Sequence, residues 1–289
     1  MYPILQKQIL SPTVKLVIVK APLAAGRAKA GQFVIVRMDE RGERIPLTIA
    51  DFDSTAGTIT LIFQEVGKST MQMGTLEVGD GFLNVVGPLG HPTEMENYGT
   101  VVGVGGGVGV APLFPIARAL KQAGNKVISI IGARNQSLLF WEERMRAVSD
   151  ELIVCTDDGS YGRKALITEP LQEILAERKI DRVWAIGPAV MMKFAATTTR
   201  PFNVPTIVSL NTIMIDGTGM CGGCRVVLDN GGAQFVCVDG PEFDAHRVDW
   251  DSLLARLSFY REEELLAVKR YKEHACRLTP EITTAERGY

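Results

Sequence analysis

The feature that most constrains this fold is a switch of hydrophobic pattern near Gly99. Before it, residues 14–19, 32–37, 45–49 and 58–63 are short runs rich in β-branched side chains. Gly26, Gly31, Gly57, Gly67, Gly79, Gly81, Gly87 and Gly90 punctuate the stretch. Strands at that spacing, with no helical period between them, predict a small antiparallel β-barrel over residues 1–97. After the switch, strand-like runs at 100–104, 127–131, 152–156, 183–186 and 204–210 alternate with helical ones. The helical runs are an apolar one through Leu120 that stops at Gly124, then 138–148, then 166–178, where Leu171, Ile174 and Leu175 share a face. That alternation predicts a parallel sheet flanked by helices over residues 98–210. At 289 residues the chain has room for two or three compact units, so a multi-domain protein is expected.

Composition acts mostly by exclusion. An apolar fraction of 46% with 22% charged residues is ordinary for a well-packed protein, and a net charge of −2 gives no electrostatic footprint for nucleic acid. The opening MYPILQKQILSPTV has no basic region followed by an apolar one, which predicts no secretory signal. The longest nearly apolar run, 101–116, is too short and too broken by Gly and Pro for a membrane span. A cytoplasmic chain is the expectation.

Three of the five cysteines lie close together, in the spacing D-x4-C-x2-C-x12-C set by Asp216, Cys221, Cys224 and Cys237. With cysteine in place of the aspartate, the front of this pattern would be that of plant-type 2Fe–2S ferredoxins. Gly217, Gly219, Gly222 and Gly223 suit a loop that must wrap an inorganic core and offer it N–H groups. A structural zinc site is the competing expectation, but no second C-x2-C or nearby H-x3-H completes one. Ordinary reduced thiols are another. The reading places a 2Fe–2S segment at 211–248 with Asp216 as fourth ligand, the alternative being that Asp216 only caps a turn. Cys155 and Cys276 are expected to be structural or incidental thiols. From Asp249 the chain reads as a helical extension, 249–289. In it Glu262, Glu263 and Glu264 precede Lys269, Arg270 and Lys272, while Leu265, Leu266, Val268 and Tyr271 give an apolar side. That side could cover its own domain or dock a partner.

Between the strand at 100–104 and the helix after it stands a glycine-rich turn, Gly103 to Pro112, where a nucleotide diphosphate would meet free backbone N–H groups. It does not satisfy G-x-G-x-x-G, because valine occupies the last position in either register. Asp157, Asp158 and Gly159 follow another strand, where ligands of open α/β sheets bind, although a plain turn reads the same way. Arg134, just past the strand ending near Gly132, could meet a 2′-phosphate.

In this context the chain resembles the ferredoxin-NADP⁺ reductase superfamily. Gly105, Gly106, Gly107, Val108, Gly109, Ala111 and Pro112 match its G-G-G-x-G-x-A-P loop. Arg44, Ile45, Pro46, Leu47 and Thr48 resemble its flavin-binding arginine and serine/threonine motif on a barrel strand. The loop Gly67, Lys68, Ser69, Thr70 resembles the one that holds the flavin diphosphate, with Ile62, Phe63 and Gln64 just before it as further cofactor contacts. Gly187, Pro188 and Met191 resemble its C-G-P-x-x-M nicotinamide-side motif, with Ile186 in the cysteine position. The aromatic that usually stacks on the flavin within the arginine motif is absent, since Pro46 and Leu47 stand there, which leaves the residue covering the ring open.

The union of this module with an iron–sulfur segment resembles two narrower groups. These are the electron-transfer subunits of dihydroorotate dehydrogenase, with four cysteines, and the small subunits of NADH-dependent reduced ferredoxin:NADP⁺ oxidoreductases, where the first ligand is aspartate as at Asp216. The second resemblance implies FAD, a 2Fe–2S cluster and NAD(H), with NADP(H) a possible substitute. Thr48 would serve flavin N5, the atom that exchanges the hydride, and Arg44 the flavin diphosphate. It also implies a larger partner with its own FAD, 4Fe–4S clusters and NADP(H) site, which splits electron pairs between ferredoxin and this chain. A non-catalytic redox sensor is the alternative from another class.

Overall fold

The structure, a computed structural model, describes the backbone of residues 1–278 and the side chains of residues 1–273. The amino-terminal strands are β1 (Tyr2–Ser11), β2 (Val14–Lys20), β3 (Phe33–Arg37), β4 (Ile45–Asp53), β5 (Thr58–Gln64), β6 (Gly81–Phe82) and β7 (Asn84–Leu89), with helices α1 (Pro22–Ala25) and α2 (Lys68–Gly74) between them. They form one nearly closed antiparallel sheet in the order β6-β1-β2-β5-β4-β3-β7. Alternation along each strand sends one set of side chains inside, so Val17, Val19, Val34, Val36, Ile49 and Leu61 make the barrel core. The expected strands are all present. β1 was not expected: Gln6, Lys7 and Gln8 interrupt its apolar pattern, and its antiparallel pairing with β2, from Ile4↔Val19 to Ser11↔Val14, defines it instead.

The second unit contains β8 (Thr100–Gly106), α3 (Val110–Gln122), β9 (Lys126–Ala133), α4 (Glu142–Val148), β10 (Glu151–Thr156), β11 (Arg163–Lys164), α5 (Thr168–Glu177), β12 (Arg182–Ile186), α6 (Ala189–Thr199) and β13 (Thr206–Ser209). These strands run parallel in the order β11-β10-β9-β8-β12-β13. The chain winds outward from β8 in both directions, which opens a crevice beyond its carboxyl end, the usual ligand position of such sheets. The helix expected over 138–148 is shorter, because Leu139 is extended and Trp141 adopts φ +60°. Packing decides this. Trp141 meets Phe114 edge-on at 5.2 Å between centroids, and the Arg144 guanidinium lies 4.2 Å from the centre of the Trp141 ring.

Residues beyond 210 form a hairpin, β14 (Arg225–Val227) with β15 (Ala233–Phe235), then α7 (Val236–Asp239) and β16 (Glu242–Asp244). β16 returns to the large sheet and pairs antiparallel with β13, so the sheet is mixed rather than wholly parallel. The helix expected from 249 onward is two helices, α8 (Trp250–Leu257) and α9 (Arg261–Leu278), broken at residues 258–260. Asp249 caps the first by accepting from Ser252 N at 3.0 Å. Trp250 and Leu253 are buried against the core shared by the sheet and the cysteine segment, whereas Leu265 and Leu266 on α9 are exposed.

Candidate functional site

A cavity of about 1510 Å³ lies between the barrel and the carboxyl ends of the parallel strands. Pockets for one small ligand run to about 1,000 Å³, so this one has room for more than a single compact molecule. Its walls bring together Arg44 to Thr48 of the β4 region, Ile62, Phe63 and Gln64 of β5, Thr70, and Gly106 to Gly109 with Ala111 and Pro112. Arg134, Asp157, Gly187, Pro188 and Met191 complete that list of expected residues.

Local rules put them there. Leu47 and Ile49 enter the barrel core, so Thr48 between them must face the other side, which is the cavity. In the glycine turn, close packing explains several positions. A Cβ on Gly109 would lie 2.1 Å from the Ile186 carbonyl oxygen, one on Gly106 would lie 2.5 Å from Met191 Sδ, and one on Gly105 would press Leu113 and Val110. Gly107 differs: it has φ +54° and nothing within 4 Å of such an atom, so its backbone faces open space ahead of α3.

Six expected residues, Lys68 of α2 among them, stay out of the walls. Gly105 is covered by α3, and Gly67 opens α2, its N–H bonded to Thr70 Oγ1 at 3.0 Å. Ser69 Oγ donates to Glu43. Asp158 turns to Ser160 N at 2.9 Å, and Gly159 lies under Lys164. The Asp157-Asp158-Gly159 stretch is thus a turn whose first carboxylate alone lines the cavity. The cavity also takes Glu43, Phe194, residues 211–215, Tyr260 and Glu264, which the sequence reading missed. The apolar side expected for the extension was Leu265, Leu266, Val268 and Tyr271 and did not include Tyr260, which falls at the break between its helices. Cys155 lies at the cavity wall with its thiol pushed up by burial; the Cys276 side chain falls outside the described residues.

Asp216, Cys221, Cys224 and Cys237 stand as two pairs. Cys221 Sγ donates to Asp216 Oδ1 at 2.9 Å, and Cys224 Sγ lies 3.2 Å from Cys237 Sγ. Among the described residues no three His, Cys, Asp or Glu side chains converge on one point that could hold a metal ion. Two pairs suit a dinuclear cluster, where each iron takes two protein ligands, better than a zinc site that draws four donors to one point. Gly223 N donates to Cys221 Sγ at 3.3 Å and Cys237 N to Cys224 Sγ at 3.5 Å, contacts of the kind that tune cluster sulfurs. Cys221 is exposed while Cys224 and Cys237 are buried. Burial, and then the Cys224 contact, push the Cys237 thiol up. The bond from Cys221, helped by Thr218 and Met220, holds the Asp216 carboxyl well below the usual carboxylate range.

Comparison with known proteins fits this geometry. Residues 211–249 match the iron-sulfur cluster binding domain of dihydroorotate dehydrogenase B. The chain is 49% identical to a homolog of the dihydroorotate dehydrogenase B (NAD(+)) electron transfer subunit from Thermotoga maritima, over 89% of this chain and 90% of that one. It is 36% identical to a probable subunit of the same name from Methanocaldococcus jannaschii, over 81% and 84%. Its fold superposes with a TM-score of 0.90 on a chain of the NADH-dependent reduced ferredoxin-NADP oxidoreductase, solved in work on flavin-based electron bifurcation, at 45% identity and covering 94% and 98% of the two chains. Among the described residues no helix is long and apolar enough to cross a membrane. With a ferredoxin-NADP reductase fold, a cavity at its switch point and this iron–sulfur domain, the chain belongs to the family of dihydroorotate dehydrogenase B electron-transfer subunits and their oxidoreductase homologues.

Proposed function

We propose that this chain is the small subunit of a complex of the NADH-dependent reduced ferredoxin-NADP oxidoreductase type, passing electrons between NAD(H), FAD and a 2Fe–2S cluster. The observation that carries this is continuity: one cavity is walled by the barrel motif, the glycine turn and residues 211–215, which lead into the cluster loop. A bound flavin would exchange a hydride with nicotinamide and single electrons with the cluster. Around it, Thr48 offers a hydroxyl from the rigid β4 and Arg44 a permanent positive charge for the flavin diphosphate. The Gly107 turn presents backbone N–H groups to the nicotinamide nucleotide. Asp157 N bonds the Ala133 carbonyl and Asp158 N the Arg134 carbonyl, which sets the Asp157 carboxylate beside the end of β9. Asp157 and Arg134 line that wall with opposite charges, so the assignment of NAD(H) over NADP(H) rests on the likeness to the NADH-dependent oxidoreductase.

On this reading Asp216 is the fourth cluster ligand, and a larger flavoprotein subunit with FAD, 4Fe–4S clusters and NADP(H) completes the path to ferredoxin. A partnership with dihydroorotate dehydrogenase is the second reading, favoured by the names of the relatives, but it calls for a fourth cysteine where Asp216 stands. Purifying the chain with its natural partner separates the two. A co-purifying flavoprotein that reduces NADP⁺ supports the first, one that oxidises dihydroorotate the second. The chain alone should carry about one FAD and two irons and reduce a dye with NADH. Stoichiometric zinc without iron would overturn the cluster, tighter binding of NADPH than NADH would overturn the cofactor assignment, and absent dye reduction would favour a sensor.

A further inference from the structure

We infer that Arg44 has a second task as a positioning residue of the cluster loop, pinning the Asp216 peptide to the flavin barrel. Arg44 Nη2 donates to the Asp216 carbonyl oxygen at 3.2 Å, joining residues 172 positions apart in sequence. The Asp216 side chain is fully engaged inside its own loop. Oδ2 accepts from Thr218 Oγ1 at 2.7 Å and Met220 N at 2.9 Å, and Oδ1 accepts from Cys221. The backbone carbonyl is therefore the group of this residue that meets the barrel.

The next residue shows the same docking independently. Gly217 has φ +73°, and a Cβ on it would lie 2.7 Å from Ile35 Cγ1 and 3.6 Å from Leu89 Cδ1. Ile35 belongs to β3, which pairs with β4 through Val36↔Ile45 and Val34↔Leu47, and Arg44 immediately precedes β4. Residues 216 and 217 thus rest on one stiff two-strand platform, gripped at the carbonyl by Arg44 and fitted against Ile35 by the missing side chain. A guanidinium carries five N–H groups in a fixed plane, so a bond from Nη2 leaves Nη1 and Nε for an anion in the cavity. One side chain then serves the flavin end and the cluster end at once. A lysine, with one nitrogen on a flexible stem, holds both only poorly.

The inference rests on the cluster reading of residues 216–237, and its test keeps the two apart. Full-length chain carrying its cluster but stripped of flavin is mixed with an iron chelator, and iron release and the visible circular dichroism of the cluster are followed. Arg44→Gln should release iron about fivefold faster, the factor that one hydrogen bond of ordinary net strength is worth, and should alter the dichroism. Arg44→Lys should fall between, and Arg41→Gln, which removes a nearby charge outside the cavity, should match the wild type. Gly217→Ala should also speed release while leaving flavin affinity unchanged. If Arg44→Gln weakens flavin binding yet keeps the wild-type release rate and dichroism, Arg44 serves the flavin alone and the inference is overturned. A wild-type chain that takes up zinc and no iron overturns the underlying cluster reading as well.

Discussion

Asp216 illustrates how one side chain can satisfy two readings of a sequence. One carboxylate oxygen caps the turn through Thr218 and Met220, while the other faces Cys221. A turn residue and a fourth ligand are therefore compatible here. Asp216→Ala should lower iron retention at least about tenfold, the scale on which even residues behind the ligands act. Asp216→Cys should keep the cluster with a shifted potential, because a carboxylate is a harder donor than a thiolate. Iron content after gel filtration and a redox titration measure both, and unchanged values in Asp216→Ala would leave the aspartate as a turn residue only. A second carboxyl, Glu242, is partly buried at the start of β16, accepting from Thr93 Oγ1 at 2.5 Å and from Trp184 Nε1 at 3.4 Å. Burial pushes it up to about 7 against the hydrogen bonds from Thr93 and Trp184, with Glu94 adding to the push and Arg182 opposing it. The folded chain then holds a proton that the unfolded chain releases above about 4.3. Stability should fall as pH rises from there to about 7 and level off above it. Glu242→Gln should flatten that slope and gain on the order of 1–3 kcal/mol at pH 8, measured by urea unfolding across pH.

At the scale of elements, the carboxyl-terminal helices do unequal work. α8 is a core element through Trp250 and Leu253, and its Arg256 donates to the Gly223 carbonyl at 3.0 Å within the cluster segment. α9 packs on α2, and the turn ahead of it gives Tyr260 to the cavity while its first turn gives Glu264. Pro46 and Leu47 stand where an aromatic was expected, and Tyr260 is an aromatic side chain from the carboxyl-terminal extension in the wall of the same cavity. Tyr260→Ala should weaken FAD binding roughly 2–10-fold, the factor corresponding to about 0.5–1.5 kcal/mol of aromatic packing. Titration by flavin fluorescence checks this, and ending the chain after Ser258 should do at least as much. Wild-type affinity in both variants would show that the extension leaves the flavin alone.

Across the whole molecule, the cavity exists only while the barrel and the parallel sheet keep their relative position. Asp51 of β4 holds that position by pairing with Arg118 of α3 at 2.8 Å and with Arg144 of α4, all three side chains being partly buried. The two guanidiniums also rest on Phe114. Asp51→Ala leaves both charges without their carboxylate and should cost about 1–3 kcal/mol, read as a lower Tm. FAD affinity should drop with it, since the cavity walls come from both units. A Tm within a degree of wild type would place the restraint elsewhere.

The sequence by itself determined the two kinds of sheet, because period-2 runs and βα alternation are local properties written residue by residue. It also determined the D-x4-C-x2-C-x12-C spacing and the glycine turn, whose chemistry depends on residue type at fixed intervals. It could not separate glycines kept for packing, such as Gly109 against Ile186, from Gly107, which faces open space, because that depends on what lies opposite. Nor could it show that β1 is a strand, that β16 closes the sheet beside β13, or that Tyr260 and Glu264 reach the cavity. Each of these rests on contacts between residues far apart in the chain, and burial and pairing at that range are settled only when the tertiary structure closes.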